Sequence, residues 1–171
     1  MSVGLIGYRG SGKTTLGIHL ADRLWQKFVD TDQLVIEMAG KSIKEIFEQD
    51  GEPAFRDLET QAVRKVCEQP EVVIGFGGGA LDREENRQAI AKAGLKLIYL
   101  RCEPEELLKR IEADPNTAAT RPNLTSLVGG IEEIKTVLAR REPIWRSVKS
   151  AELDVTYLSP QDAIPYLARM M

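Results

Sequence analysis

A phosphate-binding pattern lies close to the start of the sequence, in residues 7–14, which read Gly-Tyr-Arg-Gly-Ser-Gly-Lys-Thr. The segment matches G-x-x-x-x-G-K-[ST] at every fixed position. A short apolar stretch, residues 3–6, precedes it, and apolar residues at helical spacing follow it. This strand-to-helix context favours a nucleoside triphosphate site over the alternative, a glycine-rich turn without a ligand.

The chemistry of this loop follows from its residue types. Its glycines let backbone N–H groups converge on phosphate oxygens, and the amino terminus of the following helix adds partial positive charge. The amine of Lys13 would reach the β- and γ-phosphates of ATP, and the hydroxyl of Thr14 would coordinate Mg²⁺. The predicted nucleotide ligands are Gly10, Ser11, Gly12, Lys13, Thr14 and Thr15.

Two carboxylates, Asp30 and Asp32, follow the next apolar stretch. Many phosphate-loop enzymes hold the metal with an Asp at the end of a neighbouring strand. Here the best candidate for that strand, residues 72–74, runs into glycines and carries no carboxylate at its end. Asp30 is therefore the candidate partner of Mg²⁺, and Asp32 is a candidate general base that orients an attacking hydroxyl. An ordinary helix cap is the alternative for this Asp-Thr-Asp segment.

The run Gly77, Gly78 and Gly79 is the third feature that points to a ligand. Three consecutive glycines leave bare backbone against which a small molecule can lie. A tight turn is the alternative, and we consider the ligand-binding interpretation the better supported.

The order of predicted elements defines the fold class. Short apolar stretches alternate with helical segments, and this alternation predicts an α/β protein with a parallel sheet covered by helices on both faces. We expect a helix capped by residues 82–85, another opened by Pro104, and a last strand over residues 153–157, followed by a helix capped by Ser159. Ligands in such sheets bind at the carboxyl ends of the strands. The phosphate loop, the aspartates and the glycine run all fall at such ends.

One segment, from about residue 113 to about residue 130, has no hydrophobic periodicity and contains Asp-Pro, Arg-Pro and a Gly pair. A loop of this length in a compact domain is usually functional or disordered. With Arg121 in its middle, it is predicted to be a lid over the phosphates. A solvated insertion with an incidental arginine is the alternative.

Length and composition set the remaining limits. The 171 residues predict a single domain, residues 1–171, and a net charge of −3 gives no global field that would attract nucleic acid or an anionic membrane. The two cysteines provide neither a disulfide framework nor a metal-ligand spacing. The sequence shows no charged leader and no apolar run of membrane-spanning length, so we expect a cytoplasmic protein. A fragment or processed chain would look the same.

The chain resembles the shikimate kinases. The resemblance rests on elements that occur in the family's order over nearly the whole chain: Gly-x-x-Gly-Ser-Gly-Lys-Thr-Thr, Asp-Thr-Asp, Gly-Glu-x-x-Phe-Arg-x-x-Glu, Gly-Gly-Gly, Thr-Arg-Pro and Arg-x-Pro-Ile-Trp. It implies a three-layer sandwich with a five-stranded parallel sheet, a nucleoside-monophosphate-kinase-like P-loop fold with a lid. It also implies transfer of the γ-phosphoryl group of ATP to the 3-hydroxyl of shikimate, on the route to chorismate and aromatic amino acids.

The resemblance also implies roles for individual residues. Asp32 binds the shikimate hydroxyls, and Arg56 and Arg141 clamp the carboxylate with backbone N–H groups of the glycine run. Arg121 neutralises the transferring phosphate, and Arg110 and Pro160 flank adenine. Arginine suits a carboxylate because its planar fork binds both oxygens. For Arg56 and Arg141 the alternative is surface ion pairing on helices rich in Glu.

Several points stay open at this stage. The lid reads Arg-Pro-Asn-Leu-Thr, where many members continue Arg-Pro-Leu-Leu, and it is longer before the arginine. Pro143 lies between Arg141 and Trp145, where it could kink or end a helix. A kinase for gluconate or a nucleoside monophosphate, and a nucleotide-binding regulator without activity, are the alternatives. The intact phosphate loop and Asp32 argue against the regulator, and Arg56, Arg141 and the glycine run argue against the other kinases. We expect a monomer with a small-molecule substrate.

Overall fold

The computed structural model describes residues 2–115 and 129–171. Within them the strands are β1 (Val3–Ile6), β2 (Lys27–Asp30), β3 (Val72–Gly75), β4 (Lys96–Arg101) and β5 (Ala151–Asp154). The helices are α1 (Lys13–Leu24), α2 (Thr31–Ala39), α3 (Ile43–Gln49), α4 (Glu52–Cys67), α5 (Glu84–Lys92), α6 (Pro104–Ala113), α7 (Gly130–Val148) and α8 (Pro160–Arg169). Strands and helices alternate as the sequence predicts.

The five strands form one sheet in the order β2-β3-β1-β4-β5, and all four strand pairs are parallel. β1 lies at the centre, where Leu5 aligns with Gly75 on one side and with Ile98 on the other. Because the strands are parallel, their carboxyl ends meet along one edge of the sheet. The loops after β1, β2 and β3 are therefore neighbours, which confirms the predicted convergence of the phosphate loop, the aspartates and the glycine run.

Helices cover the sheet on both faces. Crossovers between parallel strands are right-handed, so α1, which carries the chain from β1 to the β2 edge, lies on the face opposite to α4 and α5, which carry it back. α1 packs against α8, and α4 packs against α5. Val3, Leu5 and Ile6 of the central strand are almost completely buried between these layers. The predicted three-layer α/β sandwich is confirmed.

The ends of the helices follow local sequence signals. Ser42 and Glu45 form a complete capping box at the start of α3. Ser159 caps α8, accepting from the N–H of Asp162, and Pro160 takes the first helical position. Within the described residues, no helix combines the length and the apolar character that crossing a membrane requires.

Two local predictions are wrong. The last strand ends at Asp154 rather than at residue 157, because the Asp154 carboxylate accepts from the N–H and the hydroxyl of Thr156 and turns the chain out of the sheet. Asp82 does not cap the helix that follows it. Arg83 occupies the N-cap position of α5 without a side-chain cap bond, and Asp82 binds Arg141 instead.

Pro143 does not interrupt α7, which runs continuously from residue 130 to residue 148. Arg141 and Trp145 therefore lie one turn apart on one face of the helix, and both are buried. Trp145 packs against Tyr99 of β4, with ring centroids 5.3 Å apart. Pro143 removes one backbone donor from the helix, but the buried face stays continuous.

Candidate active site

Two adjoining clefts open at the carboxyl edge of the sheet in the described part of the chain. The larger, which we call the nucleotide cleft, lies over the phosphate loop. The smaller, the acceptor cleft, lies between α2–α4 and the glycine run. All the predicted nucleotide ligands from Gly10 to Thr15, together with Asp30, Arg110 and Pro160, line the nucleotide cleft.

The phosphate loop has the backbone conformation that its glycines permit. Gly10 and Gly12 have φ angles of +82° and +93°, which residues other than glycine rarely adopt. The N–H of Ser11 donates to the carbonyl of Tyr8 at 3.2 Å and closes the turn, so this amide is used inside the loop. The first turn of α1, from Lys13 onward, presents the amides that a helix leaves without helical acceptors.

Lys13 lies folded back over the loop. Its amine donates to the carbonyl oxygens of Gly7 at 2.8 Å and Tyr8 at 2.9 Å. Lys13 also lines the nucleotide cleft, so its amine lies beside the predicted phosphate site. The placement fits the predicted contact of Lys13 with the β- and γ-phosphates.

Thr14, in the first turn of α1, and Asp30, at the end of β2, are brought together at the carboxyl edge of the sheet, where β3 lies between β1 and β2. The hydroxyl of Thr14 donates to Oδ2 of Asp30 at 3.0 Å, while Oδ1 of Asp30 accepts from the N–H groups of Asp32 at 2.9 Å and Gln33 at 3.4 Å. Asp30 is thus the N-cap of α2, the alternative that the sequence offered, and it is also a partner of the phosphate loop, while its role toward Mg²⁺ stays a prediction. A hydroxyl and a carboxylate beside a phosphate site are the hard oxygen ligands that Mg²⁺ prefers.

Arg110 and Pro160 form a further part of the lining of the nucleotide cleft. Nη2 of Arg110 donates to the carbonyl oxygens of Val155 at 2.9 Å and Thr156 at 3.2 Å, and Nε donates to Glu106 at 3.0 Å. These bonds hold the flat guanidinium in place beside the loop that leads to α8. A planar cation fixed in this way can stack on a planar ligand such as a nucleobase.

The acceptor cleft has an apolar wall and a charged wall. Ile43, Phe47 and Phe55 form the apolar wall, with the two phenyl rings 4.8 Å apart. The charged wall carries Arg56 and Arg141, next to the glycine run, and the guanidinium of Arg56 lies 5.2 Å from the centre of the Phe55 ring. A cleft of this kind suits a small ligand with an apolar ring face and an anionic group.

The glycine run lets the side chains of the charged wall approach the backbone. A Cβ on Gly79 would lie 2.2 Å from Nη1 of Arg56 and 2.8 Å from Nη2 of Arg141, and one on Gly77 would lie 2.2 Å from Oδ1 of Asp32. Glycine is therefore required here because a larger residue would clash with the protein's own side chains, and the absence of a side chain also leaves room for a ligand. Gly78 and Gly79 line the acceptor cleft, whereas Gly77 does not, and the N–H of Gly77 donates to the hydroxyl of Thr31 at 2.8 Å.

Arg56, which is partly exposed, pairs with the buried Glu59 one turn away on α4. Nη1 of Arg56 donates to Oε2 of Glu59 at 2.8 Å, and its Nη2 donates to Oε1 of the exposed Glu52 at 3.3 Å. Burial raises the pKa of Glu59 to about 7, the charge of Asp32 acts in the same direction, and Arg56 and Arg141 oppose the shift. Glu59 therefore titrates near neutral pH within the cleft.

Arg9 and Asp32 line both clefts, so the two meet at these side chains. Asp32 is buried, and its carboxylate lies between the phosphate side and the acceptor side. This arrangement places a phosphate site and an anion-binding pocket on either side of one carboxylate. It suits transfer of a phosphoryl group to a hydroxyl held beside Asp32.

The structure brings together nearly all the site residues predicted from the sequence. Arg121 and most of the predicted lid lie outside the described residues. Sequence reasoning missed Arg9, Glu59 as a titrating group, and Asp82 as the partner of Arg141. Arg9 occupies a variable position of the phosphate-loop pattern, and only its position before Gly10 at a strand end could have indicated a place in the site.

Comparison with known proteins identifies relatives over almost the full chain. The family model "Shikimate kinase" matches residues 9–171. A shikimate kinase from Rhodopirellula baltica is 40% identical over 153 residues, which cover 90% of this chain and 81% of that protein. The structure of a shikimate kinase from Acinetobacter baumannii in complex with shikimate superimposes with a TM-score of 0.90 at 28% identity, covering 99% of this chain and 91% of that one.

A more distant likeness shows how widely the fold is shared. The structure of deoxyadenosine kinase from M. mycoides matches with a TM-score of 0.62 at 17% identity and covers 99% of this chain and 97% of that one. At this identity the likeness shows the fold alone. It agrees with the predicted nucleoside-monophosphate-kinase-like P-loop fold.

Proposed function

The chain belongs to the shikimate kinase family, and we propose that it transfers the γ-phosphoryl group of ATP to the 3-hydroxyl of shikimate. One observation carries the assignment. The acceptor cleft holds two guanidinium groups against Gly79, and it meets the phosphate-loop cleft at Asp32. This arrangement supports binding of a carboxylate and presentation of a hydroxyl to a γ-phosphate.

On the nucleotide side, the phosphates of ATP lie in the phosphate loop, and adenine lies between Arg110 and Pro160. Thr14 and Asp30 would hold Mg²⁺, which would supply positive charge to neutralise the phosphates. The support is the 3.0 Å contact of their oxygens beside the loop. Lys13 exchanges its two carbonyl acceptors for phosphate oxygens and keeps its charge next to the transferring group.

On the acceptor side, the carboxylate of shikimate binds Arg56 and Arg141, with N–H groups of Gly78 and Gly79 as further donors. The ring lies against Ile43, Phe47 and Phe55. The solved relative from Acinetobacter baumannii contains shikimate. The charge and shape of the acceptor cleft support the same ligand here.

During transfer, a new bond forms between the 3-oxygen of shikimate and the γ-phosphorus, and the bond from that phosphorus to the bridging oxygen of ADP breaks. Asp32 accepts a hydrogen bond from the 3-hydroxyl, aligns its oxygen, and takes up the proton that leaves it. Lys13, Arg9 and the proposed lid residue Arg121 neutralise charge on the transferring group. Phosphoryl transfer depends on such positioning and neutralisation, since it needs little covalent help from the protein.

The assignment is tested by ATP-coupled turnover with a panel of acceptors. Shikimate is expected to give the highest kcat/KM when it is compared with quinate, gluconate and nucleoside monophosphates under the same ATP and Mg²⁺ concentrations. ATP consumption without an acceptor provides the background. A higher kcat/KM for gluconate or for a nucleoside monophosphate would overturn the assignment.

The pKa of Glu59 leads to a prediction for the pH dependence of binding. Shikimate adds a carboxylate beside Glu59, so the pKa of Glu59 rises further in the complex and binding takes up a proton near pH 7. Affinity should therefore fall as the pH rises from about 6 to about 8, by up to about tenfold per unit for one linked proton. Glu59→Gln keeps an oxygen for Arg56 but cannot titrate, so its affinity should be independent of pH over this range.

Isothermal titration calorimetry at pH 7 in buffers of different ionisation enthalpy measures this uptake directly. The wild-type binding enthalpy should vary with the buffer, whereas that of Glu59→Gln should not. Equal proton uptake by both proteins would assign the linkage to another group.

We further propose that residues 1–171 form one domain whose lid spans about residues 113–130, and that the protein acts as a cytoplasmic monomer. The continuous sheet and the single carboxyl edge that carries both clefts support one domain. The monomeric state and the location in the cytoplasm stay predictions.

A further inference from the structure

Asp82 forms the most extensive set of side-chain hydrogen bonds to Arg141 among the described residues. Nε of Arg141 lies 3.1 Å from both carboxylate oxygens of Asp82, and Nη2 lies 2.8 Å from Oδ2. The Arg141 side chain is only 3% exposed, whereas that of Asp82 is 27% exposed. The buried guanidinium is thus held along one edge by a partly exposed carboxylate that does not itself line the acceptor cleft.

Hydrogen bonds to both its N–H and its carbonyl group hold the main chain of Asp82 in place. Its N–H donates to the carbonyl of Gly79 at 2.9 Å, and its own carbonyl accepts from Nη1 of Arg87 at 2.9 Å. The amide of Asn86 binds the carbonyl of Ala80 at 2.8 Å in the same turn. The carboxylate is therefore presented to Arg141 by a rigid turn that continues from the glycine run.

The edge of Arg141 formed by Nη1 and Nη2 faces the glycine run. A Cβ on Gly78 would lie 3.4 Å from Nη1 of Arg141, and Gly78 lines the acceptor cleft. A guanidinium has five N–H donors, and a side-on pair through Nε and Nη2 leaves the donors of Nη1 and one of Nη2 for a second carboxylate. The two carboxylates would therefore occupy different edges of Arg141 and need not compete.

We propose that Asp82 is a positioning residue that holds Arg141 by its Nε–Nη2 edge so that the Nη1–Nη2 edge meets the substrate carboxylate. This inference rests on the proposed function, because it assigns the carboxylate of shikimate to Arg141. Asp82 acts through Arg141 and touches neither the transferring group nor the ring. Its effect should therefore be confined to recognition of the carboxylate.

Asp82→Ala is expected to raise the KM for shikimate by about tenfold or more, with kcat and the KM for ATP nearly unchanged. Asp82→Asn, whose amide oxygen can accept one bond from Arg141, should give a smaller rise. Asp57→Ala is the matched control. Asp57 pairs with the neighbouring Arg83 at 2.8 Å, is 67% exposed and lines neither cleft, so its loss should leave all three parameters unchanged.

The carboxamide of shikimate separates positioning from general support of the fold. In wild type, replacing the carboxylate by the amide should lower kcat/KM strongly, and in Asp82→Ala the same replacement should cost much less. If Asp82→Ala lowered kcat/KM by the same factor for shikimate and for its carboxamide, the inference would be overturned. An unchanged or lower KM for shikimate in Asp82→Ala would also overturn it. If Asp82→Ala does not fold, the same comparison is made with Asp82→Asn.

The outcome for wild type keeps the two proposals apart. Turnover of shikimate by wild type with no selective loss in either Asp82 variant would overturn the role of Asp82 and leave the proposed function standing. Failure of wild type to bind shikimate, measured by calorimetry, would overturn both proposals.

Discussion

Replacement of Asp32 by asparagine is expected to lower kcat for shikimate phosphorylation by about 10²-fold or more. The buried carboxylate lies where the acceptor cleft meets the nucleotide cleft, and an amide there can neither accept the proton nor orient the hydroxyl in the same way. The KM for ATP should change little, because Lys13, Thr14 and the loop backbone hold the phosphates. Steady-state kinetics with both substrates varied separates these effects.

Asp57→Asn is the control for this substitution, since it makes the same chemical change on a helix that borders the acceptor cleft but at an exposed side chain outside it. It should retain wild-type kcat. A near-normal kcat for Asp32→Asn would remove Asp32 from the transfer step. Asp32 would not then be a helix cap instead, because the carboxylate that caps α2 is that of Asp30.

Arg141→Ala is expected to weaken shikimate binding by about 2–5 kcal/mol, the range found when one partner of a buried charge pair is truncated. The substitution removes the guanidinium that faces Gly78 and Gly79 and leaves Asp82 without its partner. ATP affinity should be little affected, since Arg141 does not line the nucleotide cleft. Arg140→Ala is the matched control on the same helix. It removes an arginine that is 61% exposed and whose Nη2 lies 3.9 Å from Oδ2 of Asp82, but that does not line the acceptor cleft.

The tryptophans provide the measurement of this binding. Trp145 is buried one turn from Arg141, whereas Trp25 is 97% exposed at the end of α1. Shikimate should therefore shift the fluorescence of wild type and of Trp25→Phe but not that of Trp145→Phe. Titration of Arg141→Ala and Arg140→Ala in the Trp25→Phe background gives their affinities. Unchanged affinity in Arg141→Ala, or a full signal in Trp145→Phe, would place the carboxylate elsewhere.

Short-range patterns predicted much of the fold and of the nucleotide site. The phosphate loop, the capping box at Ser42 and the proline at the start of α8 depend on residues within one or two turns of each other, so their spacing in the sequence carries the information. The parallel sheet brought the loop ends together as expected, because one edge collects the carboxyl ends of all the strands.

Predictions failed or stayed incomplete where the partners of a side chain depend on the folded structure and cannot be read from the neighbouring sequence. Asp82 looks like a helix cap from its neighbours, yet it binds Arg141, which lies 59 residues further along the chain. Asp154 ends β5 through its bonds to Thr156, which the apolar pattern of residues 153–157 does not reveal. The pKa of Glu59 depends on burial and on the charge of Asp32, and both require the folded structure.

The identity of the phosphorylated product tests the central claim most directly. Phosphorus–proton correlation NMR of a reaction with ATP, Mg²⁺ and shikimate should show a new phosphate ester coupled to the proton on carbon 3 of shikimate, formed in step with ADP. Asp57→Asn should form the same product, and Asp32→Asn should form it far more slowly. Release of inorganic phosphate alone, or a phosphate ester at another hydroxyl, would contradict the transfer that we propose.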